Sequence, residues 1–355
     1  MTARTTSPFF TPELGSACLT LATMTSPTEA VSLVERPTTD PEAYGHYLSG
    51  RYYWHRRSEE GLRAAVADFA EAVRLAPGYA RASAGLADAY AVLGFYDYLP
   101  PGTAFPEART AALRAYEAEE TRGEAAATLG YVSLYFDWDW PVAEDWFRRS
   151  IALEPQSSKA HQWYANFLTA RGRFDEAERE MRRAQELEPL SLIASAALGW
   201  VFFHARRYAD ALRQLDATLA LDSGFVLAHL WRGQVYELLG RPDSAAASLR
   251  RAVAFSHDGT LAVGALALAL GRAGATRDAA ALYEELVARR RAGYQPAYEI
   301  AKAALGLGRR DEALGWLETA LADRSHSMAF LDVDPQLDPL RDDPRFAQLR
   351  RRSNH

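Results

Sequence analysis

Asp137 and Asp139 are two residues apart in the run Asp137-Trp138-Asp139-Trp140, a spacing at which paired carboxylates could share acid-base work or hold a hard cation. Their surroundings point elsewhere. Trp140 falls in the same phase as Phe174 and Tyr208 further along, and Pro141 follows it, so the aspartates belong to a turn leading into a helix, where Asp bonds to nearby backbone. His161 and His229 are each followed two residues later by a tryptophan, Trp163 and Trp231, and offer imidazole ligands. On a rising array of helices they do not converge on one metal, and a repeated packing solution between paired helices accounts for both. Gly271, Gly274, Gly306 and Gly308 are close in sequence without forming a phosphate loop; Gly274 and Gly308 share a phase with Gly172 and Gly240, which is turn geometry. The sequence contains no Walker loop, dinucleotide glycine fingerprint, H-E-x-x-H or G-x-S-x-G. Cys18 is the one cysteine, which excludes an internal disulfide and a cysteine-rich zinc site. The expectation is a protein that is not an enzyme and uses no metal or cofactor.

The elements that carry these residues repeat. Alanines 143, 177, 211, 245, 279 and 313 keep one phase of a 34-residue period. A second small track, Ala165, Gly199, Gly233, Ala267 and Ala301, precedes them by 12 residues. Large residues hold fixed offsets: Leu168, Phe202, Tyr236 and Leu270 after the small track, and Met181, Leu215, Leu249, Tyr283 and Leu317 after the alanines. Two antiparallel helices approach closely where side chains are small and interlock where they are large. This is the tetratricopeptide pattern, L-G-x2-Y on one helix and A-x3-F on the next, with a closing Pro.

The chain has 355 residues, 48% hydrophobic and 24% charged, with a net charge of -6. A solenoid grows through neighbour contacts and escapes the usual size limit of a domain, so one array is expected. The acidic balance gives no electrostatic case for nucleic acid, and Arg289-Arg290-Arg291 and Arg350-Arg351-Arg352 fall where helices should end and cations suit the dipole. No apolar run approaches a bilayer span, and Ala17 to Met24 is a poor signal core, so a cytoplasmic protein without membrane contact is expected.

Residues 1–39, rich in Thr, Ser and Pro, read as a flexible extension, with Met24 a second candidate start. Order is expected from Asp40-Pro41-Glu42, and eight repeats from 40 to 324. Repeat two carries an aromatic insertion from Leu93 to Pro106, its second helix resuming at Ala108. The tail, 325–355, with Asp334-Pro335, Asp338-Pro339 and Asp343-Pro344 and then Phe346 and Leu349, is expected to cap the last repeat.

Several segments go beyond a generic repeat: AYGHYLSGRYYWHRRSEEGLRAAVADFAEAV (43–73), GLADAYAVLGFYDYLPP (85–101), LGYVSLYFDWDW (129–140), AHQWYANFL (160–168) and LDVDPQLDPLRDDPRF (331–346). Together they resemble the tetratricopeptide region that follows the effector domain in many bacterial winged-helix transcriptional regulators and serine/threonine kinases. The resemblance covers nearly everything from residue 40 onward and implies an interaction or sensing module in signalling. The 39 leading residues are too few for a winged helix or a kinase, so any effector is expected to act in trans or to have been lost.

The expected fold is an all-α, right-handed superhelical solenoid of about eight tetratricopeptide repeats, whose first helices line a concave groove. The phase opposite the small track projects Tyr52 and His55 from repeat one, Asp88 from two, Tyr131 and Tyr135 from three, and Gln162 and Asn166 from four. Repeat five adds Trp200, Phe203 and His204, repeat six Gln234 and Glu237, and repeat eight Lys302. Aromatics and amides suit a peptide backbone, so the groove is expected to bind a protein or peptide partner, with His204 titrating near neutrality. The chain itself is expected to be a monomer or weak homo-oligomer. A carboxylate clamp around Asn166 is not supported, since the following repeats offer Ile193, Leu227 and Trp231 rather than Lys or Arg. The alternative is a small-molecule sensing domain acting on a separate effector.

Overall fold

The computed structural model describes Thr38 and residues 40–55 and 58–353. The leading extension with Cys18 and Met24 therefore lies outside the described residues. The described chain is a tandem series of α-helices: α1 (Pro41–His55), α2 (Glu59–Leu75), α3 (Ala80–Phe95), α4 (Pro101–Tyr116), α5 (Arg122–Val132), α6 (Trp140–Leu153), α7 (Ser158–Ala170) and α8 (Phe174–Leu187). It continues through α9 (Leu192–His204), α10 (Tyr208–Leu221), α11 (Val226–Leu238), α12 (Pro242–Phe255), α13 (Thr260–Arg272), α14 (Thr276–Ala292), α15 (Ala297–Gly306), α16 (Arg310–Ala322) and α17 (Pro344–Arg352). Helices α1 to α16 form eight antiparallel pairs, each packed on the next, which makes an all-α solenoid. No strand occurs among the described residues.

Close approach fixes the pairing. A Cβ added at Gly199 would come within 2.6 Å of Leu215 Cγ, and one at Gly233 within 2.4 Å of Leu249 Cγ. The two periodic tracks thus meet across each pair, with Ala211 and Ala245 at 0% and 1% exposure beside them. Ser157 and Ser191 accept hydrogen bonds from the backbone N–H groups of Ala160 and Ala194, and so cap α7 and α9. The stretch 93–106 is mostly helix rather than insertion: α3 runs to Phe95, and α4 begins at Pro101 and continues through Pro106. Pro101, at the first helical position, removes no bond, because the first N–H groups have no partner inside the helix, whereas Pro106 lies within the helix and forgoes the one to the Gly102 carbonyl.

The turn inside the third to eighth pairs repeats one backbone conformation. Gly172, Gly240, Gly274 and Gly308 are left-handed, with φ of 70°, 65°, 84° and 73°. Trp138 (φ 57°) and Arg206 (φ 60°) occupy the same slot of the period. A side chain there is disfavoured by about 1–2 kcal/mol, and only something gained elsewhere would hold it. Arg206 forms a two-pronged ion pair with Asp338, at 2.5 and 2.8 Å, and the Arg324 guanidinium stacks 5.5 Å from the Trp138 ring. Both partners belong to the chain beyond α16.

That segment departs from the expected cap. Helix α17 lies against α16 and buries Phe346 and Leu349. The preceding residues, two tight turns at His326–Phe330 and Pro335–Leu340, instead run along the inner face of the array. Met328, Leu331, Leu337 and Leu340 are at most 1% exposed there. Contacts then close the array on itself: Tyr294 Oη donates to Asp97 Oδ1 at 2.9 Å, and Arg324 Nη1 donates to the Phe136 carbonyl at 2.7 Å. The last two pairs thereby meet the second and third.

Two outcomes follow. Arg206→Ala keeps the left-handed backbone but loses the Asp338 pair, and should lower stability by about 1 kcal/mol, whereas Arg206→Gly trades the pair for relaxed backbone and should stay within roughly 0.5 kcal/mol of wild type in urea unfolding. Removing residues 325–353 should expose the inner helices and produce a lower melting temperature with self-association on gel filtration. A shortened chain that stays monomeric with an unchanged midpoint contradicts this role for the tail.

Candidate functional site

The concave face is divided in two. Toward the first five repeats it opens into a basin of about 920 Å³, whose lining includes Arg51, Trp54, His55, Asp88, Glu124, Glu154, Lys159, Gln162, Trp163, Glu188, Leu190 and Phe225. Further along, the segment 326–336 occupies the channel, and what remains is a cavity of about 80 Å³ and, between it and the basin, a space of about 30 Å³ whose lining includes Tyr131, Gln162 and Asn166.

The expected groove residues separate accordingly. His55, Asp88 and Gln162 line the basin. Asp88 is 8% exposed, accepts from Thr128 Oγ1 at 2.6 Å and pairs with Lys159 Nζ at 2.6 Å, so it anchors three repeats as well as facing the basin. Tyr52, 64% exposed, lines neither space and packs edge-on against Tyr53. Tyr131, Tyr135 and Asn166 are interior, with Tyr131 and Tyr135 ring centroids 4.3 Å apart. Burial pushes the Tyr135 phenol well up. Trp200, Phe203, His204, Gln234 and Lys302 line the inner cavity. An open groove at these positions is overturned, because the protein's own tail covers them.

The covering contacts are specific. The Phe330 ring lies 4.7 Å from Trp200, edge-on, and stacks on His204 at 5.5 Å. Asp334 Oδ2 accepts from Tyr298 Oη at 2.8 Å, and its Oδ1 accepts from Gln336 N at 2.8 Å. Glu237, expected in the groove, instead binds the tail: Gln336 Nε2 donates to its Oε2 at 2.8 Å, and Arg272 Nη1 to its Oε1 at 2.6 Å. The Arg206 guanidinium holds the Asp338 carboxyl below the usual range. The expectation that His204 titrates near neutrality is also overturned. Burial brings its imidazole down to about 4, since a charged ring there would be desolvated.

His161 and His229 share a geometry across alternate repeats. In each, Nε2 meets a backbone carbonyl six residues earlier, Pro155 at 3.1 Å and Ser223 at 2.8 Å. His161 also meets Glu180 at 2.6 Å, which raises its pKa, while burial lowers that of His229. Asp139 caps α6 by accepting from Val142 N, and Asp137 pairs with Arg109. No cluster of three or more metal-ligating side chains occurs among the described residues.

Sequence reasoning missed Phe330, Asp334 and Gln336 as groove residues, and Glu299 beside Lys302. One signal was present: Arg206 stands where the period places glycine, and Asp338, its partner, is in the Asp-Pro run.

Comparison with known proteins agrees with this geometry. Residues 165–224 and 196–259 match the tetratricopeptide repeat family model. Human IFIT1, solved as a dimer with PPP-AAAA, is similar over 74% of this chain and 69% of its own, at 14% identity and a TM-score of 0.51. A tetratricopeptide repeat protein from Parabacteroides merdae is 13% identical over 75% of this chain and 98% of its own, with a TM-score of 0.49. A thermophilic repeat protein of Thermus thermophilus is 22% identical over 66% of this chain and 98% of its own, with a TM-score of 0.39. Curated protein sequences gave no match. The described chain is an all-helical solenoid, within which residues 165–259 match tetratricopeptide repeats. No helix among the described residues is long and apolar enough to cross a membrane.

The depressed His204 pKa has a definite sign. Between the unfolded value near 6.5 and the folded value of about 4, the unfolded chain binds the extra proton, so this residue's contribution to stability falls as pH drops. From pH 7 to pH 4.5 the loss should be on the order of 2 kcal/mol, and His204→Gln should remove that part of the slope in urea unfolding. A variant with the wild-type pH dependence contradicts the assignment.

Proposed function

We propose that this protein is a non-catalytic interaction scaffold that receives an extended, basic segment of a partner protein in the basin. Tetratricopeptide repeats generally mediate protein–protein contacts, and the basin is the open part of the concave face. The observation that carries the reading is its charge: Asp88, Glu124, Glu154 and Glu188 face Arg51 and Lys159, an excess of carboxylates around apolar Trp54, Trp163, Ile193 and Phe225. Burial raises the Glu154 pKa, and the charge of Glu124 raises it further. An incoming Lys or Arg would relieve that strain, and apolar side chains beside it would cover Leu190, now 82% exposed.

The earlier expectation of a groove running through Trp200 and Asn166 is thus replaced by one confined to His55, Asp88, Gln162 and their neighbours. A signalling role in the cytoplasm accompanies this reading on the strength of the resemblance noted above. Nucleic acid and membrane surfaces are poor partners for an acidic basin.

Selection from a displayed random-peptide library against the full chain should enrich segments combining Lys or Arg with aliphatic or aromatic residues. Glu124→Lys and Glu188→Lys should each weaken the selected peptides by about 1 kcal/mol or more, and Leu190→Asp by roughly 1–2 kcal/mol, measured by calorimetry. Enrichment of acidic peptides, or binding indifferent to all three variants, contradicts the proposal.

A further inference from the structure

The inner cavity combines features that ordinary core packing does not require. Helices α9, α11, α13 and α15 supply one wall, and the tail residues His326, Ser327, Phe330, Asp334 and Gln336 supply the other. No residue lines both this cavity and the basin; a smaller space between them shares Phe95, Trp200 and Trp231 with the cavity and Gln162, Trp163 and Ile193 with the basin. At about 80 Å³ it is several times the roughly 10–15 Å³ that one water needs. Phe95, Trp200, Leu261 and Ser327 are the half-buried members of its lining and mark the side nearest solvent.

One side is apolar and aromatic, formed by Trp200, Trp231, Phe330 and Leu230. The other carries two buried ionisable groups, and burial raises the pKa of the carboxyl, Glu299, against the opposing pull of Lys302. Lys302 Nζ lies 3.4 Å from Glu299 Oε2, with both side chains 4% exposed. That separation is long for a charge-assisted hydrogen bond, and Glu299 Oε2 has no hydrogen-bond partner. Gln336 Oε1, contributed by the tail, is unpartnered as well. Buried ionic groups are retained at a penalty unless their remaining donors and acceptors are met.

We propose that this cavity binds a small zwitterion, an α-amino-acid-like molecule of roughly five to eight heavy atoms. Its carboxylate takes the N–H donors of Lys302, its ammonium group faces Glu299 Oε2 and Gln336 Oε1, and its apolar part lies against Trp200 and Phe330. A molecule bearing both charges meets the Lys302 donors and the unpartnered acceptors together, which neither half does alone. A simple cation would face the Lys302 ammonium, and a simple anion would face the carboxylates of Glu299 and Asp334, whereas a zwitterion leaves the net charge of the cavity unchanged. Because Phe330 and Gln336 come from the tail, occupancy would be linked to the tail remaining in the channel.

The test uses the full chain with glycine, L-alanine, L-serine and L-valine, and with propionate and propylamine as analogues bearing a single charge. Thermal denaturation should show an upward shift with at least one amino acid, and calorimetry a one-to-one complex at least tenfold tighter than with either analogue. Gln336→Leu and Glu299→Gln should each weaken that complex about tenfold while circular dichroism shows an intact helical fold; Lys302→Met should do the same. If Lys302→Met fails to fold, the two other variants and the analogue series still decide the matter. The proposal is overturned if no amino acid binds, if propionate or propylamine binds as tightly, or if both folded variants retain full affinity.

Discussion

The packing of Phe330 against the Trp200 and His204 rings, fastened four residues later by Asp334 beneath the Tyr298 hydroxyl, is the contact on which the architecture depends. Stacked helix pairs by themselves make an open spiral whose inner face is wet. Here that face carries Trp200, Trp231, Tyr298 and Phe203, an apolar load too large to leave in water. The tail resolves this by lying along it, and the buried state of His204, Gln234 and Lys302 follows from the same act.

Local strain records the arrangement. Four of the non-glycine residues with left-handed backbone, Asp97, Trp138, Arg206 and Arg324, make contacts that fasten the tail or close the array. Where the turn serves only the helix pair, as at Gly240, Gly274 and Gly308, glycine suffices. These four coincide with long-range contacts, as expected when a disfavoured conformation is held by the structure around it.

The repeat was legible in the sequence because its cause is local and periodic: small residues at helix crossings recur every 34 positions, and Gly199 and Gly233 are found against Leu215 and Leu249 as their spacing requires. The inner-face residues were also legible as a phase, since Trp200, Phe203, His204 and Lys302 do line one space. What the period could not reveal is which surface that phase meets. Periodicity places a side chain on a helix face and is silent about contacts between residues more than a hundred positions apart, such as Arg206 with Asp338. The pKa of His204 failed for the same reason, since it depends on Phe330 and Val333, which belong to no repeat.

Closure also bears on how such a protein can change over generations. Open arrays lengthen or shorten by whole repeats, because each unit answers only to its neighbours. In this chain Tyr294 must reach Asp97, and Arg324 must reach Phe136, across the mouth of the spiral. Inserting or deleting one helix pair between them would rotate and translate the ends apart and unseat the tail. The number of repeats is therefore fixed by geometry, much as the strand count of a closed barrel is. Variation is left to the residues inside the ring and to the loops outside it.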